Sequence, residues 1–283
     1  MQFISFVRCG RTGFGALAGG GVVDLTRRLG HRARSLRHVV ALDLLAEAAD
    51  AAAGRAPDLA LSDVTLLPPI PDPGKVLCVG VNYEMHRRET KREVVGHPTI
   101  FTRFADTLVG HGAAVVKPAA SDRLDFEGEL ALVIGRGGRN IPEESALAHV
   151  AGYAPFMDGS VRDWQRHTGQ FTPGKNFPAT GGFGPALVTP DEIGDVTALP
   201  IETRVNGEVM QKASLADLIF SIPRVIAYVS AFTPLAPGDV IATGTPGGVG
   251  ERREPPVWLK DGDVVEVDVG RAGTLRNVVL AEG

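Results

Sequence analysis

The sequence predicts an α+β fold that is mostly β, with a small N-terminal α/β appendage. Strand-like segments outnumber helical ones, and the helices do not alternate with the strands, which argues against a doubly wound parallel sheet. Prolines at positions 68, 69, 71 and 73 divide the chain, because proline at this density disfavours both helix and strand pairing. We therefore expect a small N-terminal domain at residues 1–70 and a larger domain at residues 74–283.

The composition indicates small-molecule partners. The 283 residues include 29 basic and 33 acidic side chains, a formal charge of -4, so nothing in the overall charge favours nucleic acid or an anionic membrane surface. The longest apolar runs, such as Ile222 to Phe232, are too short to span a bilayer. We expect no nucleic-acid partner and no membrane association. The two cysteines, Cys9 and Cys78, form no CxxC motif and indicate a reducing, cytoplasmic location.

The N-terminal part is predicted to form hairpins followed by one helix. Residues 1–30 alternate short apolar segments with glycines, a pattern typical of a small antiparallel sheet. The segment from Leu36 to Ala53 is rich in alanine, leucine and glutamate, which favours a single helix. No chemical motif is visible in this part of the chain.

Strands predominate beyond the prolines. The valine, leucine and cysteine content of Lys75 to Val81 predicts a buried strand. The same kind of pattern recurs in five later segments: Glu129–Ile134, Ile201–Val205, Val240–Ala242, Val264–Val269 and Leu275–Leu280. A turn at residues 270–273 joins the last two, so they are expected to pair.

Helices are fewer in this larger part. Pro142, followed by two acids, is expected to begin a helix that runs to about residue 150. Ser214 and Asp217 resemble a capping box ahead of an apolar pattern with helical spacing. Pro223 must kink that helix or begin a second one that the serine at position 221 caps.

The segment from Leu124 to Ile134 carries the strongest chemical signal. In an extended chain Glu127 and Glu129 point to the same face as Asp125, because side chains alternate with a period of two. Apolar residues follow, so this strand is expected to run inward, where adjacent carboxylates repel each other unless a cation lies between them. Oxygen ligands alone favour Mg²⁺ or Mn²⁺ over zinc. The alternative is an exposed edge strand that carries acids for solubility.

Asp158 is a candidate for a third carboxylate ligand. It follows a short apolar stretch, and Gly159 gives the backbone freedom to aim the side chain. An Asp-Gly pair is also the usual composition of a simple turn. The residues alone leave both interpretations open.

His86 and Glu89 are candidates for acid–base chemistry. They follow a predicted buried strand, on a segment that looks like the start of a short helix with Asn82 as its cap. Their spacing places both on one helix face, and a carboxylate that touches an imidazole raises its basicity, as a water-activating base requires. The competing interpretation is a solvated helix face, since Arg87, Arg88 and other charged residues share the segment.

Residues 243–250, with the sequence TGTPGGVG, form a glycine-rich segment. It lacks the Gly-Lys-Ser/Thr ending of a phosphate-binding loop, and prolines rather than a helix follow it, so a phosphate cradle is not predicted. A rigid loop that presents a hydroxyl and backbone N–H groups to an anionic substrate remains open.

Taken together and in this order, these segments resemble the fumarylacetoacetate hydrolase family over roughly residues 74–280. The matching motifs are VGVNY at 79–83 with His86 and Glu89, DFEGEL at 125–130, Asp158 with RDWQ at 162–165, GKNF at 174–177 and TGTPGGVG at 243–250. Five motifs in the same order make the resemblance specific.

The resemblance implies a catalytic domain built as a mixed β-sheet roll, usually a homodimer. It implies a divalent cation, Mg²⁺ with Mn²⁺ or Ca²⁺ as substitutes, held by Glu127, Glu129 and Asp158. It also implies that His86 and Glu89 form a general-base pair on a segment that closes over the substrate.

The resemblance further implies a set of substrate-binding residues. Four residues match family positions that contact the substrate's carboxylate and oxygens: Arg162, Gln165, Lys175 and Thr245. Of these, Lys175 is expected to stabilise developing negative charge. Two departures stand near the site: Arg103 and Phe104 replace a more common lysine and proline, and the sequence Met-Asp-Gly at 157–159 replaces Asn-Asp-Val. We expect both to alter substrate choice, and we include Arg103 among the substrate-binding candidates.

The function that follows is magnesium-dependent hydrolysis of a C–C bond in a 2,4-dioxo acid, such as an acylpyruvate or fumarylpyruvate, in aromatic or sugar-acid catabolism. His86, oriented by Glu89, would deprotonate the water that attacks the distal carbonyl, while the carboxylate and 2-oxo oxygens of the substrate would chelate the cation. Isomerisation of a 2-hydroxymuconate-type acid and decarboxylation of oxaloacetate are alternatives that share an enolate. A metabolite binder without catalysis, in which residues 1–70 mediate assembly, is the remaining hypothesis.

Overall fold

The computed structural model describes residues 1–283, in which strands predominate. There are twenty strands: β1 (Gln2–Arg8), β2 (Arg11–Ala18), β3 (Gly21–Asp24), β4 (Leu59–Ala60), β5 (Thr65–Leu66), β6 (Val76–Gly80), β7 (Thr99–Arg103), β8 (Leu108–Val109), β9 (Ala114–Lys117), β10 (Leu124–Asp125), β11 (Gly128–Ile134), β12 (Val150–Met157), β13 (Ser160–Val161), β14 (Gly181–Phe183), β15 (Leu187–Val188), β16 (Pro200–Val205), β17 (Glu208–Ser214), β18 (Val240–Ala242), β19 (Val264–Asp268) and β20 (Thr274–Ala281).

Eight α-helices accompany the strands. They are α1 (Thr26–Leu29), α2 (Leu36–Ala41), α3 (Leu45–Ala52), α4 (Glu84–Glu89), α5 (Arg162–Gln165), α6 (Thr172–Lys175), α7 (Pro190–Ile193) and α8 (Ile222–Phe232). Seven 3₁₀ segments complete the set: Leu61–Asp63, Ala105–Thr107, Glu143–His149, Val196–Ala198, Leu215–Asp217, Gly250–Arg252 and Gly270–Ala272. None of the helices combines the length and the apolar character that crossing a membrane requires.

The strands form one large sheet and two smaller ones. The 13-stranded sheet runs β4-β3-β2-β1-β15-β12-β11-β18-β6-β7, with β5, β8 and β14 attached beside this path. A five-stranded sheet has the order β17-β16-β19-β20-β9, and β10 pairs with β13. Most pairs are antiparallel, whereas β18–β6, β14–β8 and β20–β9 are parallel. The prediction of a mostly β, α+β fold with mixed sheets is confirmed.

Strand β11 lies inside the large sheet. It pairs with β12 on one side and β18 on the other, and all seven of its residues are buried. Its nearly continuous apolar sequence from Leu130 to Ile134 is typical of a strand that is covered on both faces. Because neighbouring strands pair with both of its edges, the interpretation of this segment as an exposed edge strand is wrong.

The N-terminal strands extend the same large sheet. β1 pairs with β2, β5 and β15, and the last of these also pairs with β12. Phe3 and Phe14 share one hydrophobic core with Phe156 and Leu187. Apolar side chains from residues 1–70 and 74–283 therefore pack together, and the division near residues 68–74 into two folding units stays a prediction.

The single helix predicted from Leu36 to Ala53 is wrong. α2 ends at Ala41 and α3 begins at Leu45, because Asp43 between them adopts a left-handed conformation with φ 55°. The break lets α2 contact β1 while α3 contacts β2, so each helix covers its own part of the twisted sheet.

Two other helix predictions need correction. Residues 143–149 form a 3₁₀ helix rather than an α-helix, and Val150 already begins β12. The capping box of Ser214 and Asp217 is present, yet it closes only one 3₁₀ turn. α8 is a separate helix in which Ser221 is the N-cap, as the second alternative predicted, because Pro223 is tolerated only in a first turn.

Candidate metal centre and acid–base site

Three buried carboxylates converge where β11 begins and β12 ends. The antiparallel register places Gly128 opposite Met157, so Asp158 lies beside Glu127 and donates its backbone N–H to the Glu127 carbonyl oxygen (2.8 Å). One carboxylate oxygen each of Glu127, Glu129 and Asp158 lies within 4.8 Å of the others. The strand period therefore aligns the two glutamates, and the pairing of β11 with β12 adds the aspartate.

Glu129 is a buried carboxylate without a cationic partner. Its side chain accepts one hydrogen bond, from the Gly244 N–H (2.8 Å), and it forms no ion pair. Burial, together with the charges of Asp158 and Glu127, raises the pKa of Glu129 well above its usual value. A divalent cation fits this site, because it would supply the missing positive charge and because three carboxylates are the oxygen ligands that hard ions such as Mg²⁺ prefer.

Lys175 is buried at the end of α6 and contacts two of these acids. Its Nζ donates to Glu127 Oε2 (2.7 Å) and to Asp158 Oδ2 (2.6 Å). Burial alone would lower the pKa of Lys175, but the charges of Asp158 and Glu127 outweigh it and raise the pKa above its usual value. The ammonium group therefore stays charged. Burial also opposes ionisation of Glu127, yet Lys175 and Arg162 lower the pKa of Glu127 to about 2.

Arg162 joins this cluster from α5. Its Nε donates a hydrogen bond to Asp125 Oδ2 (2.8 Å), and its Nη1 donates one to Gln165 Oε1 (3.0 Å). Its Nη2 lies 2.7 Å from Glu127 Oε1. Asp125 thus points toward the same region as the two glutamates, as the strand period predicts. It pairs with Arg162 and also accepts backbone N–H bonds from residues 250 and 251, so it supports the site without joining the three ligands.

We expect Asp125→Asn to destabilise the protein by about 3–5 kcal/mol, the usual cost of removing one partner from a buried ion pair. The new amide would direct its NH₂ group at donors that now bond to the carboxylate, and Arg162 would lose one of its two acids. Urea unfolding checks this value. Asp122→Asn is the matched control, because Asp122 pairs with Lys117 on the surface, and its midpoint should match the wild type.

Arg103 lies behind Asp158 rather than on the wall of the cavity. Its Nη1 donates to Asp158 Oδ1 (2.6 Å) and to the Gly159 carbonyl oxygen (2.8 Å), while its Nη2 donates to Thr180 Oγ1 (2.9 Å). The guanidinium is fully buried and orients the third ligand. A direct contact of Arg103 with substrate, expected from the sequence, is therefore not part of this arrangement.

His86 and Glu89 form a hydrogen-bonded pair on α4. His86 Nδ1 lies 2.7 Å from Glu89 Oε1, and the histidine side chain is 7% exposed. Glu89 Oε2 also accepts the Gly248 N–H (2.9 Å), so the carboxylate is held from both sides. The interpretation of His86 as part of a solvated face is wrong, because α4 turns Arg87 and Arg88 toward Glu84 instead.

Asn82 does not cap α4. The N-cap residue is Tyr83, and no side chain bonds to the first turn. The Asn82 side chain instead donates to the carbonyl oxygens of Phe220 (3.0 Å) and Thr243 (2.8 Å), and it accepts the Phe220 N–H (2.7 Å). It therefore connects the end of β6 to the glycine-rich loop, through partners that lie more than 130 positions away in the sequence.

The glycine-rich loop binds carboxylates of the protein itself. Its backbone N–H groups donate to three acids: Gly244 to Glu129 (2.8 Å), Gly248 to Glu89 (2.9 Å) and Gly250 to Asp125 (2.8 Å). Gly244 and Gly248 have φ values of 100° and 102°, which side-chain-bearing residues rarely adopt. The loop thus holds Glu129, Glu89 and Asp125 in one arrangement.

Gln211 is a positioning residue that sequence reasoning missed. Its Oε1 accepts the Gly128 N–H (2.9 Å), and its Nε2 donates to Thr245 Oγ1 (2.8 Å) and the Pro246 carbonyl oxygen (2.8 Å). Thr245 in turn donates to the Gly128 carbonyl oxygen (2.9 Å). Gln211 therefore fixes the residue between the two glutamate ligands. It lies on β17 of the other sheet, in no motif, so no sequence signal marks it.

A cavity joins these groups. Five of the predicted site residues that are not metal ligands line it: His86, Arg162, Gln165, Lys175 and Thr245. Glu127 and Glu129 form part of its wall as well, whereas Glu89 and Arg103 lie behind residues that do. The cavity therefore presents an imidazole, an ammonium group, a guanidinium and two carboxylates of the metal site to one small molecule.

Comparison with known proteins identifies the family. Residues 75–280 match the model of the fumarylacetoacetate (FAA) hydrolase C-terminal family. The chain belongs to the fumarylacetoacetate hydrolase family. It is 45% identical over 232 residues to the oxaloacetate tautomerase FAHD2A, mitochondrial, of Bos taurus, a match that covers 81% of this chain and 74% of the relative.

Solved structures of family members are also similar. Fumarylacetoacetate hydrolase from Exiguobacterium antarcticum is 36% identical with a TM-score of 0.84, over 100% of both chains. Maleylpyruvate hydrolase from Sphingobium sp. SYK-6, in complex with manganese (II) ion and pyruvate, is 30% identical with a TM-score of 0.84, again over 100% of both chains. Together with the three converging carboxylates, family membership makes this chain a metal-dependent enzyme.

Proposed function

We propose that this chain is a Mg²⁺-dependent tautomerase that interconverts the keto and enol forms of oxaloacetate. The observation that carries the proposal is the 45% identity with the cattle oxaloacetate tautomerase over 81% of this chain. The buried pair of His86 and Glu89 beside the three acids supports it, because keto–enol interconversion needs one base and a group that polarises the 2-oxo oxygen. This function corresponds to the isomerase and decarboxylase alternatives rather than to the hydrolysis first predicted.

The residues around the cavity suit the 2-oxo acid head of the substrate. Arg162 and Gln165 offer donors to a carboxylate, and the Lys175 ammonium, which lines the same cavity, would stabilise negative charge that develops on the 2-oxo oxygen. A divalent cation on Glu127, Glu129 and Asp158 would act as a Lewis acid that polarises the 2-oxo group. Mn²⁺ or Ca²⁺ are expected to substitute for Mg²⁺.

His86 carries the proton in this mechanism. His86 lines the cavity, and because Glu89 engages Nδ1, Nε2 is the ring nitrogen left to take a proton from C3 of the keto form. The electron pair of that C–H bond forms the C2–C3 double bond, and the carbonyl electrons move to the C2 oxygen. Nε2 then returns the proton to this oxygen, which yields the enol. Glu89, 2.7 Å from the ring, stabilises the imidazolium that exists between the two transfers.

Hydrolysis of a 2,4-dioxo acid is the second candidate. The structural similarity to maleylpyruvate hydrolase supports it, because the two chains align over their full length. The same Nε2 would then remove a proton from water, and the water oxygen would bond to the distal carbonyl carbon, C4. Collapse of the adduct would break the C3–C4 bond and release the C4 side as a carboxylic acid. The bonding electrons would form the enolate of the 2-oxo acid, and Nε2 would return its proton to C3. The two candidates differ only in what occupies the space next to His86, a C3 hydrogen or a water molecule.

A spectrophotometric assay of the Mg²⁺-loaded enzyme tests the proposal. We expect accelerated decay of enol oxaloacetate to its keto equilibrium, with the acceleration lost in EDTA and restored by Mg²⁺. Acetylpyruvate and fumarylpyruvate cleavage, measured on the same preparation, reports the second candidate. If the enol decays at the uncatalysed rate, the chain is not an oxaloacetate tautomerase. If catalysed decay persists in EDTA, the metal ion takes no part in the reaction. The homodimer and the cytoplasmic location stay predictions, which light scattering and fractionation address.

A further inference from the structure

We propose that Arg92 provides a second anion-binding subsite at the cavity mouth, which binds the distal carboxylate of a dicarboxylic 2-oxo acid. The inference rests on the proposed function for the 2-oxo acid head alone. Oxaloacetate already carries a carboxylate at both ends, and the inference adds the residues that recognise the second one.

Positive charge is in excess at the mouth of the cavity. Three arginines line it there, Arg92, Arg166 and Arg252, with Glu251 as the one carboxylate among them. Glu251 forms an ion pair with Arg166 and lies 3.8 Å from Arg252 Nε. The Arg92 guanidinium has neither an acidic partner nor a hydrogen-bond acceptor in the protein. Three arginine charges therefore face one carboxylate at the mouth, on a chain whose overall charge is -4.

The position of Arg92 is built into the fold, although its side chain is free. Its backbone N–H donates to the Arg87 carbonyl oxygen (3.0 Å), and its own carbonyl oxygen accepts Arg87 Nη1 (2.7 Å). Both bonds attach Arg92 to α4, the helix that carries His86 and Glu89. An anion held by Arg92 would therefore also tie the substrate's tail to the helix that supplies the base.

An aromatic wall connects the inner and outer cations. The Lys175 Nζ lies 5.0 Å from the centre of the Phe101 ring, and the Phe101 and Phe171 rings are 5.6 Å apart in an edge-to-face contact. The Arg92 guanidinium carbon lies 5.8 Å from the Phe171 ring centre. A cation at each end of an apolar wall matches a ligand that has a carboxylate at each end of a short carbon chain.

A monocarboxylic substrate would leave the outer arginines without a ligand. An acylpyruvate with an alkyl tail would place carbon next to Arg92, where it gains no charge-assisted hydrogen bond. The wall and the arginines therefore favour a second carboxylate over a neutral tail.

Titration calorimetry with two acids isolates the second carboxylate. The ligands are 2-oxoglutarate and 2-oxopentanoate, which share the 2-oxo acid head and chain length and differ in the distal carboxylate alone. We expect the Mg²⁺-loaded wild type to bind 2-oxoglutarate about ten-fold more tightly, as one charge-assisted hydrogen bond provides. In Arg92→Gln the ratio of the two Kd values should fall toward parity, while Arg92→Lys retains part of the preference.

Arg88→Gln is the matched control, because Arg88 lies on α4, the helix to which Arg92 is bonded, pairs with Glu84 and does not line the cavity. It should keep the wild-type ratio. Equal affinities in the wild type, or an unchanged ratio in Arg92→Gln, would overturn the subsite while metal-dependent binding of both acids left the proposed function standing. If neither acid binds in a Mg²⁺-dependent way, the proposed function and the subsite fail together. Circular dichroism confirms that each variant is folded.

Discussion

Glu129→Gln is expected to abolish metal-dependent activity while leaving the metal-free protein at least as stable as the wild type. The substitution removes one of three ligands, so we expect activity to fall by more than about 100-fold. Losing a residue that only supports a metal ligand costs up to about that much, and losing the ligand itself should cost more. The amide can still accept the Gly244 N–H. The substitution also removes a carboxyl group that ionises with difficulty, because burial and two neighbouring acids oppose its charge. The apo protein therefore loses no favourable ion pair.

Thermal unfolding with and without Mg²⁺ measures the stability part of this prediction. A cation that binds only the folded state stabilises it by about 2.7 kcal/mol at a concentration of 100 Kd, and this gain should appear in the wild type and vanish in Glu129→Gln. Glu266→Gln is the control, because this glutamate lies on β19 outside the site. An undiminished Mg²⁺ effect in Glu129→Gln, or EDTA-sensitive activity that survives the substitution, would show that the three acids do not form the metal site.

His86→Ala is expected to separate the reactions that need a base from the one that does not. Tautomerisation and dioxo acid hydrolysis both require proton removal, so we expect each to fall by about 10²–10⁴-fold, the usual contribution of a general base. Decarboxylation of oxaloacetate breaks the C3–C4 bond, releases CO₂ and sends the bonding electrons toward the 2-oxo group. No proton leaves C3 in that step, and any decarboxylase activity should therefore stay within about ten-fold of the wild type.

The three activities are measured on one preparation of each variant, at the same Mg²⁺ concentration. His31→Ala is the control, because His31 is exposed and lies in the N-terminal part of the chain. If tautomerisation persists in His86→Ala, another group removes the C3 proton. If all three activities fall equally, His86 contributes to binding or to the position of α4 instead of to proton transfer.

Local sequence patterns anticipated part of the site correctly. The period of a strand places Glu127 and Glu129 together, and helical spacing places His86 beside Glu89 (2.7 Å). In both cases the partners are separated by three residues or fewer, so backbone geometry alone relates them. Asp158 is more remote, and its part in the cluster was inferred from the family resemblance before the register of β11 and β12 showed its position.

Other features depended on segments that are distant in sequence. Gln211, Asn82 and the Arg103–Asp158 pair have partners between 34 and 161 positions away. Amide and guanidinium side chains at such positions are indistinguishable in sequence from solvent-exposed residues, because their partners become neighbours only when separate sheets and loops meet. The same applies to the break between α2 and α3, which follows the surface of the sheet beneath these helices.

Sequence patterns alone specify a mostly β, α+β chain with two glutamates on one strand face and a histidine beside a glutamate on one helix face. These are properties of the strand and helix repeat, which act over a few residues. The convergence of three carboxylates, the buried position of Lys175, the engagement of Arg103 by Asp158 and the arginine-rich cavity mouth depend on strand pairing and loop packing. Long-range pairing brings these charges together, and burial then strengthens their interactions, which is why the tertiary structure was needed to locate them.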